Sequence, residues 1–154
     1  MRQYVHFALT SRHISAAEIT ARLMVEPDEI SVRGSRVAAP ATPACHAWTV
    51  VCRQPGLSVS EQLAQIVDRL RPYHDQIVSL SETLADQDPE YGGATLELVH
   101  YLDDGDSEGE APSSAAARSQ ETADHDPLLS WARDREVLEF LLATNLSIDL
   151  DVYS

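Results

Sequence analysis

Hydrophobic positions change their spacing along this chain, and the changes mark out its elements. In "QYVHFALT", Val5, Phe7 and Leu9 alternate with Tyr4, His6 and Ala8. A period of two predicts a half-buried first strand. Ser15 and Glu18 then have the spacing of a capping box, with Ile14 and Ile19 at the staple positions around it. Ile19, Leu23 and Met24 make one apolar helical stripe. Pro27 is expected to end that helix, because the residue before a proline is held out of the α region. Ile30 and Val32 alternate with Ser31 and Arg33 as a second strand, and Gly34 offers a turn. The "AAPATP" stretch reads as a loop. "HAWTVVCR" is apolar on both parities and predicts a central strand.

The second half repeats the grammar. Ser58 and Glu61 form another capping box, and Leu63, Ile66, Val67 and Leu70 give a helical stripe. Pro72 breaks or kinks this helix, and Ile77, Leu80 and Leu84 continue a helical arm. "ATLELVHYL" predicts a strand with Leu96, Leu98 and Leu102 on one side and Glu97, Val99 and Tyr101 on the other. Asp126 is expected to cap the last helix, with Pro127 at its first position. Leu128, Trp131, Leu138, Leu141 and Leu142 fall near one face of it, and Asn145 suits a left-handed cap. "LSIDLDVY" closes the pattern, with Leu146, Ile148, Leu150 and Val152 inward and Ser147, Asp149, Asp151 and Tyr153 outward.

The order is βαββαβ followed by αβ. It predicts an α+β, ferredoxin-like (split βαβ) antiparallel sheet with helices on one face, plus an extra C-terminal helix and strand. Residues 1–154 read as a single domain. Within it, 103–125 is almost free of apolar residues and rich in Asp, Glu, Ser and Ala, the composition of a disordered acidic loop. No internal repeat is visible.

Charge narrows the function. The net charge is −14, and all eleven basic residues are arginine. Such a surface repels nucleic-acid phosphates and admits a basic protein partner. No stretch reaches the roughly 18 apolar residues that span a bilayer, and no basic leader with an apolar run opens the chain, so a cytoplasmic location without membrane contact is expected. Cys45 and Cys52 have neither CxxC nor zinc spacing and read as two half-buried thiols near one strand.

Candidate chemistry is sparse. No GxSxG, Walker, dinucleotide-binding or HExxH motif occurs. His6 and His100 lie on strands, where a packed or exposed imidazole is the commoner case. The run "DDGDSEGE" has alternating oxygen ligands but lacks the glutamate and helical flanks of an EF-hand. No catalytic, metal or cofactor set is expected. The most suggestive group is Tyr4, His6, Glu97, Tyr101, Asp149, Asp151 and Tyr153, which share the parity facing away from the predicted helices. Tyrosines among carboxylates suit a protein-binding surface. The alternative is an ordinary wet sheet face with cross-strand tyrosine pairs.

Taken together, "YVHFALT", "ISAAEITARLMVEPDEISVRG", "AWTV", "VSEQLAQIVDRLRP" and "LSIDLDVYS" resemble a bacterial family filed as domain of unknown function DUF4279. The family pattern falls on Glu18, Ile19, Thr20, Leu23, Pro27, Gly34, Trp48, Leu63, Asp151 and Tyr153. Its usual L-G-I-x-P is "LMVEP" here, so a glycine that would ease the helix end is missing. The resemblance implies a small α/β domain with no established activity. By analogy with similar acidic families, an immunity-type protein masking a basic toxin is the leading reading, with a homodimer as the other use of the same face. A small-molecule-sensing module is the alternative and would need a concave apolar pocket. An enzyme ranks last, because no nucleophile–base pair or metal set is visible.

Overall fold

The long first strand, β1 (Arg2–Ser11), forms the middle of the sheet. The computed structural model describes residues 2–37, 42–101 and 134–153. On one side β1 pairs antiparallel with β3 (His46–Cys52), which pairs antiparallel with the three-residue β2 (Glu29–Ser31). On the other it pairs antiparallel with β4 (Gly93–Tyr101). Beyond β4 lies β5 (Ser147–Tyr153), which runs parallel to it. The result is a five-stranded sheet of order β2-β3-β1-β4-β5 in an α+β fold. The sheet is mixed rather than wholly antiparallel. A parallel neighbour needs a crossover connection, and the helix α4 (Arg135–Ala143) lies in the stretch between β4 and β5.

Register sorts the two faces. Phe7 sits between Val50 and Leu96, Val5 between Cys52 and Leu98, and Leu9 between Trp48 and Ala94. All nine are buried on one side of the sheet. Against them pack α1 (Ala16–Leu23), α2 (Val59–Leu70), a 3-10 turn over Arg71–Tyr73, α3 (His74–Gln87) and α4. Trp48 is fully buried, and its indole N–H donates to the Val25 carbonyl at 3.3 Å. Phe7 and Phe140 meet edge-on at 6.1 Å, tying α4 to the sheet centre. Cys45 is half-buried and Cys52 is in the core; both are free thiols. Among the described residues, no helix is long and apolar enough to cross a membrane.

Both capping boxes form as their spacing predicts. Ser15 accepts from the Glu18 amide while Glu18 reaches back to Ser15, and Ser58 and Glu61 do the same. Pro72 falls in the 3-10 turn that joins α2 to α3, so the predicted break is a short joint between two helices. Gly34 takes a turn at φ 72°.

Four expectations are corrected. Met24 does not extend the apolar stripe of α1. It is the left-handed C-cap at φ 58°, 80% exposed, so the helix ends at Leu23, four residues before Pro27. Ile30 and Val32 are exposed, because β2 is a short edge strand. Leu142 is 77% exposed, and the buried face of α4 is Val137, Phe140 and Leu141. Ile148, Leu150 and Val152 share the helix-side parity, opposite Leu96, Leu98 and His100, yet are 49, 48 and 50% exposed. Among the described residues their strand is the other edge of the sheet, and an edge strand is flanked by a neighbour on one side only. The N-cap of α4 is Asp134, whose carboxylate accepts from the Glu136 and Val137 amides. The predicted loop at 103–125, Leu102, Asp126, Pro127, Leu128 and Trp131 lie outside the described residues, as does most of "AAPATP".

One interaction has no local signature in the sequence. Arg12, at the end of β1, grips the buried Asp88 carboxylate with two hydrogen bonds of 2.6 and 2.7 Å. The guanidinium holds the Asp88 carboxyl below the usual carboxylate range. It also lies 4.6 Å over the Tyr91 ring, so the turn into β4 is fastened to the exit of β1.

Candidate functional site

The face that the described helices leave bare is built by the alternate residues of the same strands. Register puts His6 opposite Glu97, Glu97 opposite Asp149, Tyr4 opposite Val99, Val99 opposite Asp151, and Tyr101 opposite Tyr153. Directly paired residues share a face. Three neighbouring strands therefore bring all seven predicted residues together: Tyr4 and His6 from β1, Glu97 and Tyr101 from β4, and Asp149, Asp151 and Tyr153 from β5.

The tyrosines form a band across the strands. The Tyr4 and Tyr101 rings lie 6.2 Å apart, and Tyr101 stacks on Tyr153 at 5.2 Å with 21° between planes. Tyr4 also leans on the His6 ring at 5.2 Å. The Tyr153 hydroxyl donates to Asp151 Oδ2 at 3.2 Å. Carboxylates flank the band. Glu97, Asp149 and Asp151 meet where β4 and β5 adjoin.

Crowding and burial set the protonation of this group. Burial is the first cause that pushes the Glu97 carboxyl up; a hydrogen bond with Asp151 and repulsion from Asp151 and Asp149 add to it. Burial likewise lowers the His6 imidazole, and the Arg53 charge lowers it further. His6 Nε2 lies 3.4 Å from Glu97 Oε2, but it makes no hydrogen bond, and a His6 held toward its neutral form is a packed neighbour rather than an ion-pair partner. Tyr4 is pushed up to about 12, first by burial and then by its hydrogen bond with Tyr101. Tyr153 is raised chiefly by the negative charge of Asp151.

Two residues belong to this face that periodicity did not single out. Arg53 lies 4.9 Å over the Tyr4 ring and forms an ion pair with Glu29. Their signal was present: Arg53 continues the parity of Thr49 and Val51, which pair with Ala8 and His6. Arg53 places a positive charge at the β3 flank of the tyrosine band, the register sets Arg2 opposite Tyr101, and β5 contributes Asp149 and Asp151.

Chemically, this arrangement sets the half-buried Tyr4 and Tyr101 and the exposed Tyr153 beside a concentration of negative charge. Among the described residues, no group of three or more His, Cys, Asp or Glu is placed to hold a metal ion. Elsewhere, a groove of about 670 Å³ runs between α1 and α3, lined by Arg22, Arg71, His74, Gln76, Ser79 and Thr83 among others. It is open and of mixed character, with Leu23, Pro72 and Leu80 beside the polar side chains, rather than the concave apolar pocket that a small-molecule sensor calls for.

Fold and face together define an α+β domain with a tyrosine-rich, acidic sheet surface on the side its described helices leave bare. The chain matches the family described as Domain of unknown function (DUF4279) over residues 1–154, and it belongs to that family. No curated protein and no solved structure matches it.

Proposed function

We propose that this is an interaction protein that binds a basic protein partner through the helix-free face of its sheet. The observation that carries the reading is the convergence of Glu97, Asp149 and Asp151 beside the Tyr4–Tyr101–Tyr153 band. Like charges forced together raise the free energy of the unbound protein. An arriving Arg or Lys relieves that repulsion, while the amphipathic rings supply area to bury. An immunity-type role, masking a basic toxin in the cytoplasm, is the specific form we favour. The small-molecule alternative draws less support, since the groove between α1 and α3 is open and only partly apolar.

The antiparallel order β2-β3-β1-β4 supports reading the scaffold as a ferredoxin-like, split βαβ sheet to which β5 is added. In such a scaffold the bare face is broad and pre-formed, so binding needs little rearrangement.

The test starts from a partner captured from the native host and proceeds to binding kinetics. Asp149→Asn combined with Asp151→Asn should slow association about tenfold at low salt and flatten its salt dependence, because rim charges act mainly on encounter. Tyr153→Ala should leave association nearly unchanged and speed dissociation. Association rates that are identical for wild type and double variant across salt concentrations would end the proposal.

A further inference from the structure

We infer that the outer edge of β5 accepts an added strand from the partner, a segment in which apolar and basic residues alternate. This rests on the reading above and goes beyond it, since it names the binding mode and the chemistry of the segment. The two edges of the sheet differ. The β2 edge is only three residues long, too short to template a strand. The β5 edge offers seven, Ser147–Tyr153, without proline or glycine. Among the described residues, nothing pairs with its outer side. Its alternate amides and carbonyls are therefore a ready ladder.

The two faces of this edge specify the segment. On the helix side, Ile148, Leu150 and Val152 form an apolar row that its neighbours leave half exposed. On the other side, Asp149 and Asp151 stand beside Glu97. An added strand presents its side chains alternately to the same two faces. Apolar residues at one parity would cover the Ile148–Leu150–Val152 row, and Arg or Lys at the other would sit over the aspartates. The same charges oppose a second copy of this chain. In a two-fold antiparallel pairing centred on Leu150, Asp149 of one copy faces Asp151 of the other. A register shift of two residues either way brings one aspartate against its own counterpart. Like charges directly opposite destabilise a strand pair. The edge is thus disfavoured for self-pairing and complementary to a basic strand.

Synthetic nine-residue peptides test this against the full chain. One alternates Val and Arg, one has the same composition with the arginines grouped, and one alternates Val and Glu. The Val–Arg alternation should bind at least tenfold tighter than the grouped peptide, and the Val–Glu peptide should not bind. Two further peptides carry N-methyl groups, one on every valine amide and one on every arginine amide. In a strand the amides of alternate residues point to opposite edges. One methylated set should therefore abolish binding and the other should leave it within about threefold. Asp149→Asn with Asp151→Asn should weaken the alternating peptide at least tenfold, and Leu150→Thr should weaken it without altering charge. If the double variant loses affinity but the two methylated sets bind alike, the acidic face recruits cations without strand addition; the broader proposal stands and this one falls. If the grouped peptide binds as well as the alternating one, strand addition is likewise refuted. A wild-type dimer in sedimentation that dissociates on Leu150→Asp would assign the edge to a second copy and overturn the inference.

Discussion

Glu97 stands beside two aspartates, and its carboxyl is pushed up by burial, by the Asp151 hydrogen bond and by both negative neighbours. A carboxyl whose folded pKa lies above its unfolded value, about 4.3, binds its proton more tightly in the folded state. Its stabilising contribution is complete below the unfolded value and is lost as pH rises through the folded one. Glu97→Gln should therefore be more stable than wild type at pH 7, and the advantage should shrink to nothing as pH falls below about 4. His6 slopes the other way: its lowered pKa contributes stability above about 6.5 that is lost in acid. Measuring the difference between variant and wild type at each pH, by chemical denaturation, reads the Glu97 contribution together with its coupling to His6, 3.4 Å away. A variant that is less stable at pH 7 would mean that Glu97 holds the face together rather than straining it.

At the scale of elements, the end of α1 is where the backbone is unusual. Met24 takes φ 58° and ψ 29° as C-cap, a region that costs an L-residue roughly 1 kcal/mol. Its side chain is largely exposed, so little packing is lost on removing it. Met24→Gly should stabilise the protein by about 0.5–1 kcal/mol, and Met24→Val should destabilise it, since β-branching worsens a left-handed cap. Denaturant midpoints at unchanged slope would show both. The glycine missing from "LMVEP" was legible, but the exposure of Met24 was not, because hydrophobicity alone does not say which residue turns the chain. The Ser15–Glu18 and Ser58–Glu61 boxes were legible because a cap is decided within four residues. The parity of β5 was legible for the same reason. Its half-exposed apolar row was not, because edge position and the parallel pairing with β4 depend on residues far away in sequence. Asp88 and Arg12 found each other across the fold with no spacing to announce them. The seven face residues came together because parity on three strands is local information, and only the neighbour relation of β1, β4 and β5 had to be supplied by the structure.

For the whole molecule, the balance of charge is the governing quantity. Eleven arginines can neutralise at most eleven of twenty-five acidic groups. The described ion pairs, such as Arg69–Asp28 and Arg71–Glu136, are mostly exposed and contribute little each. Repulsion among the remainder acts on the compact state more than on the expanded one. Raising sodium chloride from 0.02 to 0.3 M should therefore raise the melting midpoint by a few degrees, since the screening length falls below about 10 Å. A midpoint that drops with salt would show that the exposed pairs outweigh the excess negative charge.

The central place of β1 has a consequence for how this protein is made. The strand that both halves of the sheet lean on leaves the ribosome before the other four, yet its partner β4 follows only after β2, β3 and three helices. Translation at about 5–20 residues per second leaves Val5, Phe7 and Leu9 waiting several seconds for Leu96 and Leu98. During that interval β1 and β3 can pair, but the other edge of β1 stays open, apolar and unclaimed. The nascent chain is thus most vulnerable to aggregation and to chaperone capture at the strand that, once the sheet closes, is the best protected of all.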